Sequence, residues 1–377
     1  MNEHRELVWL MRMLPTIMRT LRTAFAMGLA AALMAACVGC AAKTNDAVDE
    51  DGTATPTAHA LQWGVYLPPA DSLSNSYAQV AGIAGARPNY VLSFSALMQP
   101  VPAAQLQEVA SLGATPILSL EPWDPHADAA ENSIGDARTK QPEFALARIA
   151  AGDHDADLTR WATGLRDLGS TVMLRFAHEM NGDWYPWAVG VNGNTSDDYV
   201  AAWRHVHDLF RSVGASNVRF LWSPNVPVAG QTSDLAAAYP GADMVDILGL
   251  DGYNWGTGDG HEWTEPDVLF DEGLNQLRAL DGRQPILISE TASAEGSGPG
   301  QSKAQWIAKL MSHGSSQKRV TGFIWFDVNK ERDWRINSSQ AAQEAFKASL
   351  AKVISIASAP PDSPGAAGMA GTAGAAD

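Results

Sequence analysis

Residues 172–189 read VMLRFAHEMNGDWYPWAV. The first five have the apolar character of a buried strand, with one arginine set among them. A histidine, a glutamate, an asparagine and three aromatic residues follow within a dozen positions. Groups of that kind are costly to bury without partners. A strand that ends by opening into a cavity would accommodate them, so the arrangement of the remaining strands decides what the cavity is.

Working outward, seven more β-like runs frame this one: LQWGVYLP from Leu61, YVLSFSAL from Tyr90, TPILSLEPW from Thr115, VRFLWSPN from Val218, VDILGLDGY from Val245, QPILISET from Gln284 and VTGFIWFDV from Val320. Amphipathic stretches such as LTRWATGLRDLG, SDDYVAAWRHVHDLFRSVG and EPDVLFDEGLNQLRAL lie between them. In the second, Tyr199, Trp203, Val206 and Phe210 recur at spacings of three and four, which predicts a helix with one buried face. Eight strands alternating with helices over about 300 residues predict an α/β protein, a (β/α)8 TIM barrel forming a single catalytic domain over residues 60–357. A doubly wound open sheet is the second choice, but no glycine-rich phosphate loop follows the first strand.

The 377-residue chain is 46% hydrophobic and 18% charged, a composition that can bury a core of this size. Its net charge of −16 disfavours nucleic acid and anionic membrane surfaces as partners. At the N-terminus Arg5, Arg12, Arg19 and Arg22 precede the apolar run Ala24 to Ala36, the layout of an export signal too short to span a membrane. Met11, Met13 or Met18 are alternative starts. Both cysteines, Cys37 and Cys40, end this run in LMAACVGC, which resembles a bacterial lipobox. Residues 1–40 are therefore expected to be a signal peptide with a lipidation site at Cys37 or Cys40, placing an exported protein at the cell envelope through a lipid anchor; the alternative is ordinary signal-peptidase cleavage nearby and a secreted protein. Residues 41–59 read as a flexible linker and residues 358–377 as a disordered Gly/Ala/Pro tail. The body of the chain has no cysteine for a disulfide or a thiolate metal site.

In a (β/α)8 barrel the active site forms where strands give way to the loops that follow them. The polar residues there are Glu121, Asp124 and His126 after the third strand, His178 and Glu179 after the fourth, Asn225 after the fifth, Asp251 and Tyr253 after the sixth, Glu290 after the seventh, and Trp325 and Asp327 at the eighth. Arg175 lies two residues inside the fourth strand from Ala177 and should point into the barrel toward the carboxylates. Trp123, Trp184 and Trp187 are among thirteen tryptophans, several of them near the same end. Aromatic faces flanking paired acids suit a sugar chain. Two carboxylates are enough to hydrolyse a glycosidic bond, one as proton donor and one as nucleophile or base. Glu179 and Glu290 are the pair selected, since both follow their strands immediately.

The segments RFAHEMNGDWYPW, LGLDGYNWG, ISETAS and WFDVNKERDWRI, in that order, resemble glycoside hydrolase family 26, a clan A barrel family made up mostly of endo-β-1,4-mannanases. The resemblance spans roughly residues 60–350. It implies a retaining double displacement with Glu179 as acid/base and Glu290 as nucleophile, and no metal or organic cofactor. It implies further that His178 stands beside the acid/base, that Tyr253 bonds the nucleophile and that Trp325 forms the floor under the sugar being cleaved. One segment departs from the pattern: the family's mannanases commonly carry Ser-Trp-His after the third strand, where this chain reads LEPWDP, a form closer to members resembling mixed-linkage β-glucanases.

A zinc helix at His178 and Glu179 fails because Gly182 occupies the position of the second histidine. Glu121 could bind a sugar hydroxyl or join an interior ion pair, and Asp251 reads as a positioning group that, with Asn181, completes the substrate-binding set. His205 and His207 fall on a helix away from the mouth, and Trp203 and Trp306 on buried helix faces. The expected activity is that of a monomeric endo-β-mannanase acting on mannan or glucomannan. β-1,3-1,4-Glucanase and β-1,3-xylanase are alternatives within the family, and a non-catalytic glycan-binding lipoprotein is the alternative outside it.

Overall fold

The computed structural model describes residues 58–125, 140–227 and 234–356. The expected signal, lipidation and tail segments, with Cys37, Cys40 and His126, lie outside the described residues. Eight parallel strands close a barrel in chain order: β1 (Gln62–Tyr66), β2 (Tyr90–Ala96), β3 (Thr115–Glu121), β4 (Val172–Phe176), β5 (Val218–Trp222), β6 (Ile247–Asn254), β7 (Ile286–Ser293) and β8 (Val320–Phe326). Six lie within one of the eight runs read from the sequence, while β6 and β7 continue one and two residues past theirs. Closure leaves no strand edge unpaired, with β1 bonded to both β2 and β8.

Around the barrel run α1 (Leu73–Ala84), α2 (Ala103–Ser111), the short α3 (Leu146–Ala150), α4 (Asp155–Asp167), α5 (Ser196–Ser212), α6 (Pro266–Ala279), α7 (Lys303–Ser316) and α8 (Gln340–Ile354). Their starts follow from local chemistry. Thr195 and Asp198 form a reciprocal capping box on α5, and Ser72, Ser302 and Ser339 cap α1, α7 and α8. Tyr199, Trp203, Val206 and Phe210 are buried on the inner face of α5, as their spacing predicts. The crossover from β5 to β6 departs from the alternation: among the described residues it holds only a 3₁₀ turn, Leu235–Ala238.

Two cores result from the period of two along each strand. The larger lies between the sheet and the helices. The smaller fills the barrel itself, with Tyr90, Leu92, Ile117, Leu221, Ile247, Leu287 and Ile324 buried and Tyr66, Phe94 and Met173 packed against them. Above this apolar plug the inward positions turn polar, at Ser119, Arg175, Ser223, Asp251 and Ser289.

The barrel is irregular at one place that matters. Between the pairs Gly249↔Leu287 and Asp251↔Glu290, β7 advances by one residue more than β6, and the same slip recurs against β8 between Ile288 and Thr291. The extra residue is a bulge that re-aims side chains. Ser289 and Glu290, adjacent in sequence, both reach into the barrel.

Gly249 faces this bulge, and a Cβ there would lie 2.5 Å from Ser289 Oγ and 2.9 Å from the Ser223 Cβ. Gly249→Ala is expected to destabilise the fold by about 1–3 kcal/mol through overpacking. Urea denaturation would show it as a lowered midpoint, and an unchanged midpoint would refute the close approach.

Candidate active site

The site is organised around Arg175, whose side chain is fully buried inside the barrel. Its Nε donates to Ser119 Oγ at 2.6 Å, one terminal nitrogen donates to Asp251 Oδ2 at 2.9 Å, and the other is bonded to Glu290 Oε1. Asp251 is in turn bonded by the hydroxyls of Ser223 and Ser289, at 2.9 and 2.6 Å. A buried guanidinium is tolerated only when its donors are met in this way. Burial pushes the Asp251 carboxyl upward, while Arg175 and the two serines pull it back.

Glu290 emerges from the β7 bulge, almost fully buried. Besides the contact with Arg175, it accepts a hydrogen bond on Oε2 from the Tyr253 hydroxyl at 2.5 Å. Burial and the charge of Glu290 hold the Tyr253 phenol well above its usual range, so it stays a donor. One carboxylate oxygen is thus fixed by a cation and the other by a phenol.

Glu179 reaches the same mouth from the end of β4 by an unusual backbone path. Ala177 and Glu179 have φ of 45° and 52°, left-handed values that non-glycine residues adopt at a cost. The Glu179 amide donates to Ser223 O at 2.8 Å, which anchors the turn to β5. Its carboxyl accepts from Trp184 Nε1 at 2.8 Å. Gly182 permits that contact, since a Cβ there would sit 2.5 Å from the Trp184 ring. Burial, then the charges of Asp251 and Glu290, push Glu179 well above the ordinary carboxylate range, against smaller pulls from Arg175 and Trp184. The charge of Glu290 is thus among the causes that favour the protonated form of Glu179.

Further expected residues gather here in different roles. Glu121 accepts from Trp123 Nε1 at 3.0 Å, and burial pushes its carboxyl up to about 7. His178 bonds the Tyr185 hydroxyl at 3.2 Å, and burial together with Arg175 holds its imidazole well below the ordinary value, hence neutral. Asp251 stands beneath the mouth as a positioning group, fully buried and bonded to Arg175, Ser223 and Ser289. Asn181 is spent on structure: its side chain donates to Asn225 O and accepts from Asn225 N, both at 2.9 Å, tying the β4 and β5 loops together.

Two tryptophans are corrected. Trp325, expected under the sugar, points out of the barrel, fully buried between Trp306 and Phe346, with Nε1 on Trp334 O. Ile324 and its inward parity leave Phe326 at the mouth instead, half-buried and stacked on Tyr66 at 4.6 Å. Trp187, expected to offer a ring face, is fully buried beneath Tyr185, stacked at 4.3 Å, with Nε1 on His178 O. The half-buried faces belong to Trp184, Tyr185, Tyr66, Phe326 and Trp255. Ser119, Ser223, Ser289, Tyr66 and Phe326 do not stand out in the sequence; the inward parity of Arg175 identifies Ser119, its direct register partner on the neighbouring strand. Trp203 and Trp306 are core residues as expected, and His205 bonds Asp155 on the outer helices at 2.6 Å. Among the described residues no group of three or more His, Cys, Asp or Glu is arranged to hold a metal ion.

Arg175→Met would leave Asp251 buried without its cation. The expected loss is about 3–5 kcal/mol of stability. Guanidinium denaturation measures it, and a loss below about 1 kcal/mol would show that the network is not what holds the centre of the barrel.

Residues 146–299 match the model of Glycosyl hydrolase family 26. Endoglucanase H of Acetivibrio thermocellus is 40% identical over 233 residues, 60% of this chain and 25% of the relative. Mannan endo-1,4-beta-mannosidase A and B of Caldalkalibacillus mannanilyticus is 33% identical over 146 residues, 37% of this chain and 25% of the relative. The match thus spans a quarter of the length of either relative. Among solved structures, a modular endo-beta-1,4-mannanase from Cellulomonas fimi superposes with a TM-score of 0.59 at 17% identity, covering 78% of this chain and 71% of that one. The resemblance drawn from four sequence segments is thus matched over residues 146–299 by the glycosyl hydrolase family 26 model, and the chain folds as a (β/α)8 barrel.

Proposed function

We propose that the barrel is a retaining, endo-acting β-glycanase in which Glu179 is the acid/base and Glu290 the nucleophile. The observation that carries this reading is the division of labour between two buried carboxyls in one mouth. Burial and its acidic neighbours push the Glu179 carboxyl well above the ordinary range, while Glu290 is clamped by Arg175 and Tyr253. In the first step Glu179 gives its proton to the glycosidic oxygen as Glu290 Oε attacks the anomeric carbon, and the aglycone leaves. In the second, Glu179 takes a proton from water, the hydroxide adds to the anomeric carbon, and Glu290 departs as a carboxylate. The half-buried rings of Trp184, Tyr185, Tyr66 and Phe326 give the C–H faces of a neutral sugar chain a surface to stack on.

For the substrate, two observations favour β-glucan ahead of mannan. The relative at 40% identity carries a glucanase name, and the β3 end reads Glu-Pro-Trp with Glu121 and Trp123 bonded to one another. Mannan is the second reading, supported by the mannosidase likeness. Reducing-sugar release from barley β-glucan, glucomannan, galactomannan and β-1,3-xylan separates these. No release from any of them would leave a glycan-binding protein without turnover.

Glu290→Ala is expected to lose turnover and to form a glycosyl azide of inverted configuration when azide is supplied. The same inverted product from Glu179→Ala would exchange the two roles. Activity should fall on the alkaline side as Glu179 loses its proton. Since Trp184 pulls that carboxyl downward, Trp184→Phe is expected to move the alkaline limb of kcat/KM to higher pH. A limb that stays in place or moves down would contradict the role of the indole.

A further inference from the structure

Glu121 takes no part in the two-step displacement, yet it is nine-tenths buried at the same mouth, with 9% of its surface exposed. It follows Ser119 by two residues on β3, so its side chain shares the inward face of Ser119 one level nearer the opening. Ser119 is bonded to Arg175, which fixes that face as the interior. Its partner Trp123, bonded at 3.0 Å, lies 6.5 Å between ring centroids from Tyr185, one of the half-buried rings of the mouth.

Its bonding is one-sided. Oε2 accepts from Trp123 Nε1, and Oε1 has no hydrogen-bond partner among the described residues. Nor does a cation neutralise it directly. The donors of Arg175 go to Ser119, Ser223, Asp251 and Glu290, and Lys330 pairs with Glu331 at 2.8 Å. That oxygen is not shut into the interior but opens on the mouth, where a donor from outside the protein can reach it. At a mouth that takes a sugar chain, a hydroxyl donor completes it.

We infer that Glu121 is a specificity-determining residue, whose Oε1 accepts a hydroxyl of the sugar adjoining the cleaved bond and selects glucose over mannose there, with Trp123 fixing the other oxygen. The inference rests on the reading of the barrel as a β-glycanase. Glucose and mannose differ only in the direction of one hydroxyl, so an acceptor held immobile by an indole and a barrel wall discriminates between them. Protonation does not abolish the contact, since a neutral carboxyl still accepts on its carbonyl oxygen.

The test uses the full chain, its Glu121→Ala variant and its Glu121→Gln variant on glucomannan, which holds both sugars. Borohydride reduction of the digest converts new glucose ends to glucitol and new mannose ends to mannitol, so their ratio reports which sugar was seated at the nucleophile. Glu121→Ala is expected to lower the glucitol-to-mannitol ratio by about 10- to 100-fold, the effect of removing one partner of a charged hydrogen bond. Glu121→Gln, which keeps an acceptor oxygen, should restore part of it, with thermal midpoints within about 2 °C of the parent chain. A ratio unchanged by Glu121→Ala, or a shift toward glucose, would overturn the inference. Parallel loss of both kinds of end in both variants would overturn it too, as the signature of a structural role. An unsubstituted chain that releases nothing from any β-glycan would instead refute the underlying functional reading.

Discussion

A guanidinium buried in the middle of a barrel constrains everything around it. Arg175 has five N–H donors and no water to satisfy them, so the strands beside it must present acceptors at its level. They do so with Ser119 from β3, Ser223 from β5 and Asp251 from β6, while Glu290 arrives from β7. The last two contributions explain the irregular strand. A regular β7 would turn Ser289 and Glu290 to opposite faces, and the extra residue lets the serine bond Asp251 while the glutamate meets the arginine. Below this layer the apolar plug of Ile117, Leu221, Leu287 and Ile324 closes the barrel and keeps the ion pairs dry.

That layer also sets the electrostatics of the mouth above it. Four carboxyls, those of Asp251, Glu290, Glu179 and Glu121, share one low-dielectric space with one arginine. Glu290 lies against the guanidinium and accepts from the Tyr253 phenol. Glu179 has only the Trp184 indole on its carboxyl, stands on a left-handed turn, and is pushed upward by burial and by its acidic neighbours. Glu121 is raised for the same first reason and sits one strand away on the other side of β4 from β5. The different fates of chemically identical side chains follow from which donors reach them.

Much of this was legible in the sequence. The eight strands stand out because each apolar run is short and bounded by turns or helical periods, and the strand ends selected Glu179, Glu290, Tyr253 and Arg175 together. What was not legible concerns which face a residue takes. In FIWF of β8 both faces are apolar, because one packs on helices and the other on the barrel interior, so alternation alone does not say whether Trp325 or Phe326 looks inward. The bulge in ISETAS is invisible for a similar reason, since nothing in the residue types marks a slipped register. Trp187 and Asn181 lie in a loop whose aromatic and amide groups bond to its own backbone and to the β5 loop, and a loop folded on itself buries what composition alone would assign to a ligand.

The central claim is that Glu290, held by Arg175 and Tyr253, forms a covalent bond to the sugar while Glu179 handles the proton. Its most direct test is mass spectrometry of the protein after incubation with an activated 2-deoxy-2-fluoro-β-glycoside, whose glycosyl-enzyme turns over slowly enough to be mapped. The account predicts a single glycosyl adduct on the peptide that contains Glu290. An adduct on Glu179, or hydrolysis with inverted configuration and no adduct at all, would contradict it.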